Sequence, residues 1–324
     1  HALATLSASD AMPNYAELIY GVQPAYNLYK PAGVDLTLFD QKTPDQEFGE
    51  QLKLRSKVCV YAGKYGGIYL DREVFRFFRA CAELWNGDFT ALLLSETDES
   101  WIHEMALEEG LSTNNYLVRR VDHSEVPKYL NLADFAINPV KPVPSKRYCT
   151  SIKDGEYWAC GLPLVIPPNI SNDSDLVQEN GFGVIWDDLS EKGCRSAARR
   201  IRSLLEKEDS IEFRQRIRTL AIENRDFSKY KKHYSDLYAP NGIVHRGKST
   251  FIVLIYNSFA DPLFQILLYQ YILTQAERHP QYRFELLTFD MKKYELELPE
   301  RRAKQAELSA MGIYWHPMPY HSGS

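Results

Sequence analysis

From Lys57 onward, hydrophobic positions alternate between short continuous apolar runs and longer segments with helical spacing. The runs Val58–Ala62, Phe89–Leu94, Tyr116–Val121, Phe135–Asn138, Leu164–Ile166 and Gly183–Trp186 have the length and β-branched or aromatic content of buried strands. Between them, Arg72–Leu84, Glu99–Glu109, Glu125–Ala133, a segment opened by Asp154, and Asp173–Glu179 repeat apolar residues three and four apart, the helical period. Strands joined through helices imply right-handed crossovers and a parallel sheet covered on both faces. The expected fold class is α/β with a Rossmann-like sheet, which takes its ligands beyond the carboxyl ends of its strands. Two polar, Arg-rich helical stretches, about Glu191–Glu206 and Ser210–Asn224, and then Tyr230–Tyr238 close this half of the chain.

Tyr238-Ala239-Pro240-Asn241-Gly242 breaks the helical pattern and reads as a linker, spanning 239–248. Beyond it, the apolar run 250–256 begins a fresh unit, followed by a helix Pro262–Glu277, a strand Phe284–Thr288, a helix Pro299–Met311 and a strand Ile313–Trp315. Residues 1–48 read as the tail of another such sheet, with a strand end at Leu3–Leu6, a helix around Asn14–Tyr20 and an extended connector Tyr26–Phe39. The expected organisation is therefore 1–48, 49–238, 239–248 and 249–324. The chain opens without Met and ends in His321-Ser322-Gly323-Ser324, so a piece of a longer chain is expected.

Composition narrows the function classes. At 324 residues and 44% hydrophobic content, the chain can bury two ordinary cores. The net charge of −5 is built from intermixed signs, which argues against nucleic acid as a partner. Arg195, Arg199, Arg200 and Arg202 read as a solvated helix face. The five cysteines show no CxxC pair or zinc spacing, and Cys59 within Val58-Cys59-Val60 reads as core. No segment reaches about 18 consecutive apolar residues, and the first residues carry no basic leader. A cytoplasmic location is expected, with peripheral membrane contact left open.

Ser151 through Ile166 concentrates the chemistry. Asp154 reads as a helix cap and Glu156 as a first-turn carboxylate, while Cys160-Gly161-Leu162-Pro163 ends the helix before Leu164-Val165-Ile166. A helix start offers free N–H groups and about half a positive charge, so it suits phosphate, and Lys153 adds a full charge. Strand Val58–Ala62 ends in Gly63-Lys64-Tyr65-Gly66-Gly67, whose glycines permit close backbone approach and whose Lys64 offers a second charge. Glu156 has two readings: compensation of the helix dipole, or acceptance of ribose hydroxyls. Gly242 through Ser249 matches the spacing of a P-loop, but a linker precedes it and a β-rich run follows, so the match reads as accidental. His123 reads as a loop or capping residue, and His316 and His321 stay ambiguous.

Taken together, these residues resemble the GT-B glycosyltransferases, in particular retaining family 4. The matching features are Gly63-Lys64 after a strand and Lys153-x-x-Glu156-Tyr157-x-Ala159-x-Gly161-x-Pro163-x-Val165. A third is Gly33-Val34-Asp35-Leu36-Thr37-Leu38-Phe39, which is similar to the connector between that family's two domains. The resemblance implies a GT-B architecture with one complete donor domain at 49–238 and partial acceptor-type Rossmann segments at both ends, as in a tandem protein. It implies a retaining glycosyltransferase with a nucleotide-sugar as substrate, no cofactor and no metal, a carbohydrate or lipid-linked acceptor, and a place in building cell-envelope polysaccharide; the alternatives on the same fold are a catalytically degenerate module that binds glycan or a partner, and a nucleotide-sugar epimerase. It also implies a nucleotide-sugar site built from Gly63, Lys64, Gly66, Tyr148, Lys153, Asp154, Gly155 and Glu156, with Lys64 and Lys153 stabilising the leaving diphosphate. Two positions depart from the family. Tyr148 stands where the first Glu of a paired E-x7-E is common, and Lys64 replaces a commoner Arg, keeping the charge while losing its bidentate fork.

Overall fold

The computed structural model describes residues 5–21, 23, 26–208, 210–238, 250–255 and 258–319. The expected linker 239–248, the P-loop-like stretch 242–249, His321 and residues 3 and 4 of the strand end expected at Leu3–Leu6 lie outside the described residues. The chain divides into two compact units, one of residues 6–23 and 29–231, the other built mainly from residues 232–324 with 1–5 and 24–28.

In chain order, β1 (Thr5–Ser7), α1 (Met12–Tyr20), β2 (Asn27–Tyr29) and α2 (Gln46–Gln51) precede β3 (Lys57–Ala62), the first strand of the main sheet of the larger unit. There follow α3 (Arg72–Leu84), β4 (Phe89–Leu94), α4 (Glu99–Glu108), β5 (Tyr116–Arg119), α5 (Val126–Leu130) and β6 (Phe135–Ile137). The second half holds α6 (Ile152–Ala159), β7 (Leu164–Ile166), α7 (Asp173–Asn180), β8 (Gly183–Ile185), α8 (Glu191–Glu208), α9 (Ile211–Arg225) and α10 (Phe227–Tyr238). The six long-run strands form one parallel sheet in the order β5-β4-β3-β6-β7-β8. The chain winds outward from β3 to β5, returns to β6 beside β3, and then winds the other way. The crevice between β3 and β6 is thus the point where the winding reverses, which is where open α/β sheets bind ligands.

Both faces of the sheet are dry. On one, Phe75, Phe77 and Phe78 of α3 meet Trp186, Cys194 and Ala197 against β3 and β4, and Cys59 is fully buried there. On the other, Tyr157, Trp158 and Ala159 of α6 pack with Phe213, Ile217 and Ala221 of α9 and with Val34 and Phe39 of the connector. Side chains of this size contribute about 1.5–3 kcal/mol each when fully buried. The Arg-rich face of α8 lies outward as expected, with Arg195 against Glu191 and Arg202 against Glu206.

The smaller unit contains a parallel three-stranded sheet of β9 (Thr250–Ile255), β10 (Arg283–Asp290) and β11 (Ile313–Pro319), in the order β11-β10-β9. Between β9 and β10 run α11 (Pro262–Phe264), a π-helical turn (Gln265–Tyr269) and α12 (Gln270–Arg278), and α13 (Leu298–Ala310) precedes β11. One continuous helix over Pro262–Glu277 was expected from the spacing; the π turn interrupts it. The last strand runs on past Trp315 because β11 is an edge, where Pro317 and Pro319 remove no ladder bond that a neighbour needs. His316 leans on Glu285 across β10 and β11.

Several boundaries differ from the sequence reading. The helix expected over Glu125–Ala133 is a 3-10 turn, His123–Glu125, followed by the short α5, because Pro127 is tolerated only in the first turn of a helix. More consequentially, Asp154 does not cap α6. Ser151 holds the capping position in an extended conformation and makes no side-chain cap bond, while Asp154 is the third helical residue and Glu156 lies beyond the first turn.

Asp154 points inward because the partners are there. Asn138, at the end of β6, donates from Nδ2 to Asp154 Oδ2 at 2.8 Å, in a setting where neither side chain has solvent access. Arg225, the last residue of α9, is 1% exposed and pairs with the fully buried Asp173 at the start of α7. Its Nη1 also donates to Thr150 Oγ1 at 2.7 Å and to the Ala32 carbonyl at 3.2 Å. Burial and the adjacent Asp173 push the Asp154 carboxyl well above its ordinary range. Asp154 is therefore held in its protonated form, and Arg225 makes its ion pair with Asp173. Gly155 belongs to this junction too: a Cβ there would stand 2.6 Å from Val34 Cγ2 and 3.0 Å from Arg225 Cγ.

Arg225→Met keeps most of the side-chain volume and strands a buried Asp173, so unfolding in urea should show a loss of about 3–5 kcal/mol. Asp154→Asn tests the raised pKa of Asp154. With the folded pKa raised above the unfolded value of about 3.9, the native state binds the extra proton, and wild-type stability falls as pH rises from about 4 toward neutrality. The Asn variant should lose that slope and match or exceed wild type at pH 7, as read from denaturant midpoints across pH.

Candidate functional site

A cavity of about 670 Å³ opens in the larger unit at the reversal point of the sheet. Its walls come from the residues that follow four strands: Ala62, Gly63 and Lys64 after β3, Leu94 and Ser95 at β4, Val140 after β6, and Ile170 and Ser171 after β7. Ser151, Ile152 and Lys153 at the start of α6 close its centre. Ser151 makes no side-chain cap bond, so no capping side chain from that position occupies the first-turn N–H groups at this wall.

Lys153 is held at the centre by aromatic groups. Its Nζ donates to Tyr69 Oη at 2.7 Å, lies 4.0 Å from the centre of the Tyr69 ring and 5.9 Å from that of Tyr61. Burial keeps the Tyr61 hydroxyl neutral by pushing its pKa up, and that hydroxyl donates to the Lys64 carbonyl. No carboxylate within ion-pair distance neutralises Lys153 among the described residues, so its charge remains available to an anion. Gly63 makes this placement possible. A Cβ there would lie 2.6 Å from Lys153 Cε and 2.8 Å from Tyr61 Oη, so any side chain displaces the lysine stem.

Glu156 stands one helical turn further on, its side chain 8% exposed. His123 Nε2 lies 2.9 Å from Glu156 Oε1, and the imidazole, two-thirds exposed, packs against Phe39 at 5.2 Å between centroids. The sequence reading of His123 as a loop residue missed this contact, because its partner is 33 positions away and no local pattern links them. Lys146 and Cys149 also line the cavity and were not singled out. The signal for them was slight: a Pro-Ser-Lys-Arg turn ahead of a helix.

Of the eight residues expected at the site, Gly63, Lys64, Lys153 and Glu156 come together around the cavity. The other four do not line it. Asp154 and Gly155 face the buried Arg225 junction behind α6, the reverse of the expected direction, because Asn138, Asp173 and Val34 supply their partners there. Tyr148 packs against Tyr15 with its ring tilted and the centroids 4.8 Å apart, and Gly66 turns the loop after Lys64. Among the described residues, no group of three or more His, Cys, Asp or Glu side chains is placed to hold a metal ion. No described helix is long and apolar enough to cross a membrane.

No protein-family model matches the chain, and no curated protein matches it. Solved structures do. A glycosyltransferase from Rickettsia africae ESF-5 superposes with a TM-score of 0.58 at 14% identity, covering 72% of this chain and 63% of that one. Sucrose-phosphate synthase from Thermosynechococcus elongatus gives a TM-score of 0.56 at 16% identity, covering 72% and 57%. HepE from Anabaena, solved in complex with UDP-glucose, gives 0.56 at 15%, covering 72% and 62%. The fold is Rossmann-like and of the GT-B type. At these identities the likeness is one of architecture, and the chain spans about three fifths of the length of these proteins. In a GT-B sheet of this winding, the cavity occupies the crevice that the topology favours for a ligand.

Gly63→Ala tests the geometry at the centre of the cavity. The nearest clash, at 2.6 Å, falls on the flexible Lys153 stem and the next, at 2.8 Å, on the buried Tyr61 hydroxyl, so the fold should survive with a local shift of that ring while Lys153 leaves its place over Tyr69. Inorganic pyrophosphate binding should weaken about tenfold while the melting temperature stays within a few degrees; unchanged pyrophosphate binding would remove Gly63 from the site.

Proposed function

We propose that this chain carries the donor-binding part of a glycosyltransferase, taking a sugar from a nucleotide-sugar, with retention and without metal, to a carbohydrate or lipid-linked acceptor. The observation that carries the reading is the convergence, at the β3/β6 reversal, of an uncapped helix start with an uncompensated Lys153. A diphosphate satisfies both: its oxygens accept from the open N–H groups, and its charge meets the helix dipole and the ammonium.

The remaining groups extend the same reading. Lys64, on the loop across the crevice, adds a second cation. Glu156 is buried, hydrogen-bonded and pointed at the cavity wall, which suits a carboxylate that accepts from ribose hydroxyls better than one that only offsets a helix dipole. When a glycosidic bond to a phosphate breaks, charge accumulates on the leaving diphosphate, and fixed cations plus a helix terminus that need no rearrangement stabilise that charge. The electrostatic work asked of this chain is thus confined to Lys64, Lys153 and the α6 N-terminus, and water is kept from the back of the site by the dry α6/α9 layer.

Calorimetry with uridine, guanosine and adenosine diphosphates tests the proposal. At least one should bind, and Lys153→Ala should weaken it about 10- to 100-fold, in line with about 1.5–3 kcal/mol for a charge-assisted hydrogen bond. Glu156→Gln should weaken the diphosphate nucleotide without affecting pyrophosphate. Absence of binding by all three nucleotides contradicts the proposal, and equal loss of both ligands on Glu156→Gln contradicts the ribose role alone.

A further inference from the structure

The Glu156 carboxylate has a single hydrogen-bond donor among the described residues, and that donor comes from a distant loop. His123 Nε2 lies 2.9 Å from Glu156 Oε1. A carboxylate only accepts, so Nε2 carries a proton and donates it. Glu156 Oε2 has no donor among the described residues and is not sealed from solvent, and both residues line the cavity. The side chain is 8% exposed, so the imidazole is what accompanies this carboxylate out of water.

The imidazole is itself fixed from behind. It belongs to the 3-10 turn His123–Glu125 after β5, where Val126 N donates to the His123 carbonyl. Its ring packs on Phe39, which is 1% exposed. The Phe39 carbonyl accepts from Arg218 Nη1 at 3.2 Å, and the same nitrogen donates to the Ala159 carbonyl at 2.6 Å, at the end of α6. The connector, α6 and α9 thus make the surface on which His123 rests. The ring is 68% exposed, so little of the core depends on it. A glutamate side chain that turns freely has rotamer entropy to lose when it takes a ligand; one already held at Oε1 has less.

We propose that His123 is a positioning residue for Glu156: by holding Oε1 it fixes the carboxylate that accepts the ribose hydroxyls, and so sets how strongly the site distinguishes a nucleoside from its dideoxy analogue, without itself touching the ligand. The inference rests on the diphosphate reading of the cavity and on Glu156 as the ribose acceptor.

The test is calorimetry on the full chain with three ligands: pyrophosphate, the tightest-binding of the uridine, guanosine and adenosine diphosphates, and the 2′,3′-dideoxy form of that nucleotide. Wild type should prefer the ribo form about tenfold, and His123→Ala should reduce the preference to less than about threefold while pyrophosphate affinity and melting temperature hardly change. His123→Gln, whose amide N–H replaces the Nε2 donor, should retain the preference. In a Glu156→Gln background, His123→Ala should have no further effect on the nucleotide, because it acts through a carboxylate that is no longer there. An undiminished preference in His123→Ala overturns the inference, as does parallel weakening of all three ligands, loss of the preference in His123→Gln, or a further loss in the double variant, which would mean that the imidazole contacts the ligand. Wild type that binds no nucleoside diphosphate overturns the diphosphate reading itself, and wild type that binds without preferring the ribo form overturns the ribose role of Glu156 and this inference with it.

Discussion

Arg225 is the constraint on which the larger unit depends. One buried guanidinium at the end of α9 reaches the connector at Ala32, the loop at Thr150 that precedes α6, and Asp173 at the start of α7. Buried charges are stable only when every partner is present, so these segments have to arrive together. Val34 N donating to the Arg225 carbonyl at 2.8 Å and the missing side chain of Gly155 complete the junction. Its consequence for chemistry is indirect: it fixes the position from which α6 points its N-terminus into the crevice. Asp154 adds a proton to that junction and no charge to the site.

The front of α6 is built on different forces. Lys153 is positioned by ring faces and a phenol hydroxyl, which restrain it without neutralising it, and the absence of a Gly63 side chain leaves room for its stem. Tyr157 connects front and back, since the Ala62 N–H donates to its hydroxyl at 2.9 Å and so ties the end of β3 to α6. A cation, a helix start and a strand end are held in register by groups that a ligand does not displace. Such preorganisation is what electrostatic stabilisation of a leaving group requires.

Much of the fold was legible because it rests on local signals. Continuous apolar runs marked all six main strands, and their alternation with helical spacing implied the parallel sheet. Gly161, just past α6, and the Gly63-Lys64 turn were readable from backbone preferences alone. The long-range features were not. Arg225 sits in an Arg-rich helix whose charges are mostly solvated, and periodicity counts an arginine as surface wherever it falls. Asp154 looked like a cap because aspartate commonly caps helices, and nothing near it in sequence announced Asn138 or Asp173. His123 is hidden for the same reason: its partner Glu156 is brought to it only by the fold.

The central claim is that a nucleoside diphosphate lies across the β3/β6 reversal against the start of α6. Amide hydrogen exchange read by mass spectrometry, with and without a saturating nucleoside diphosphate, tests it most directly. Exchange should slow in residues 62–64, 121–126 and 150–156, with residues 250–319 unaffected. Protection absent from 150–156, or confined to the smaller unit, would contradict it.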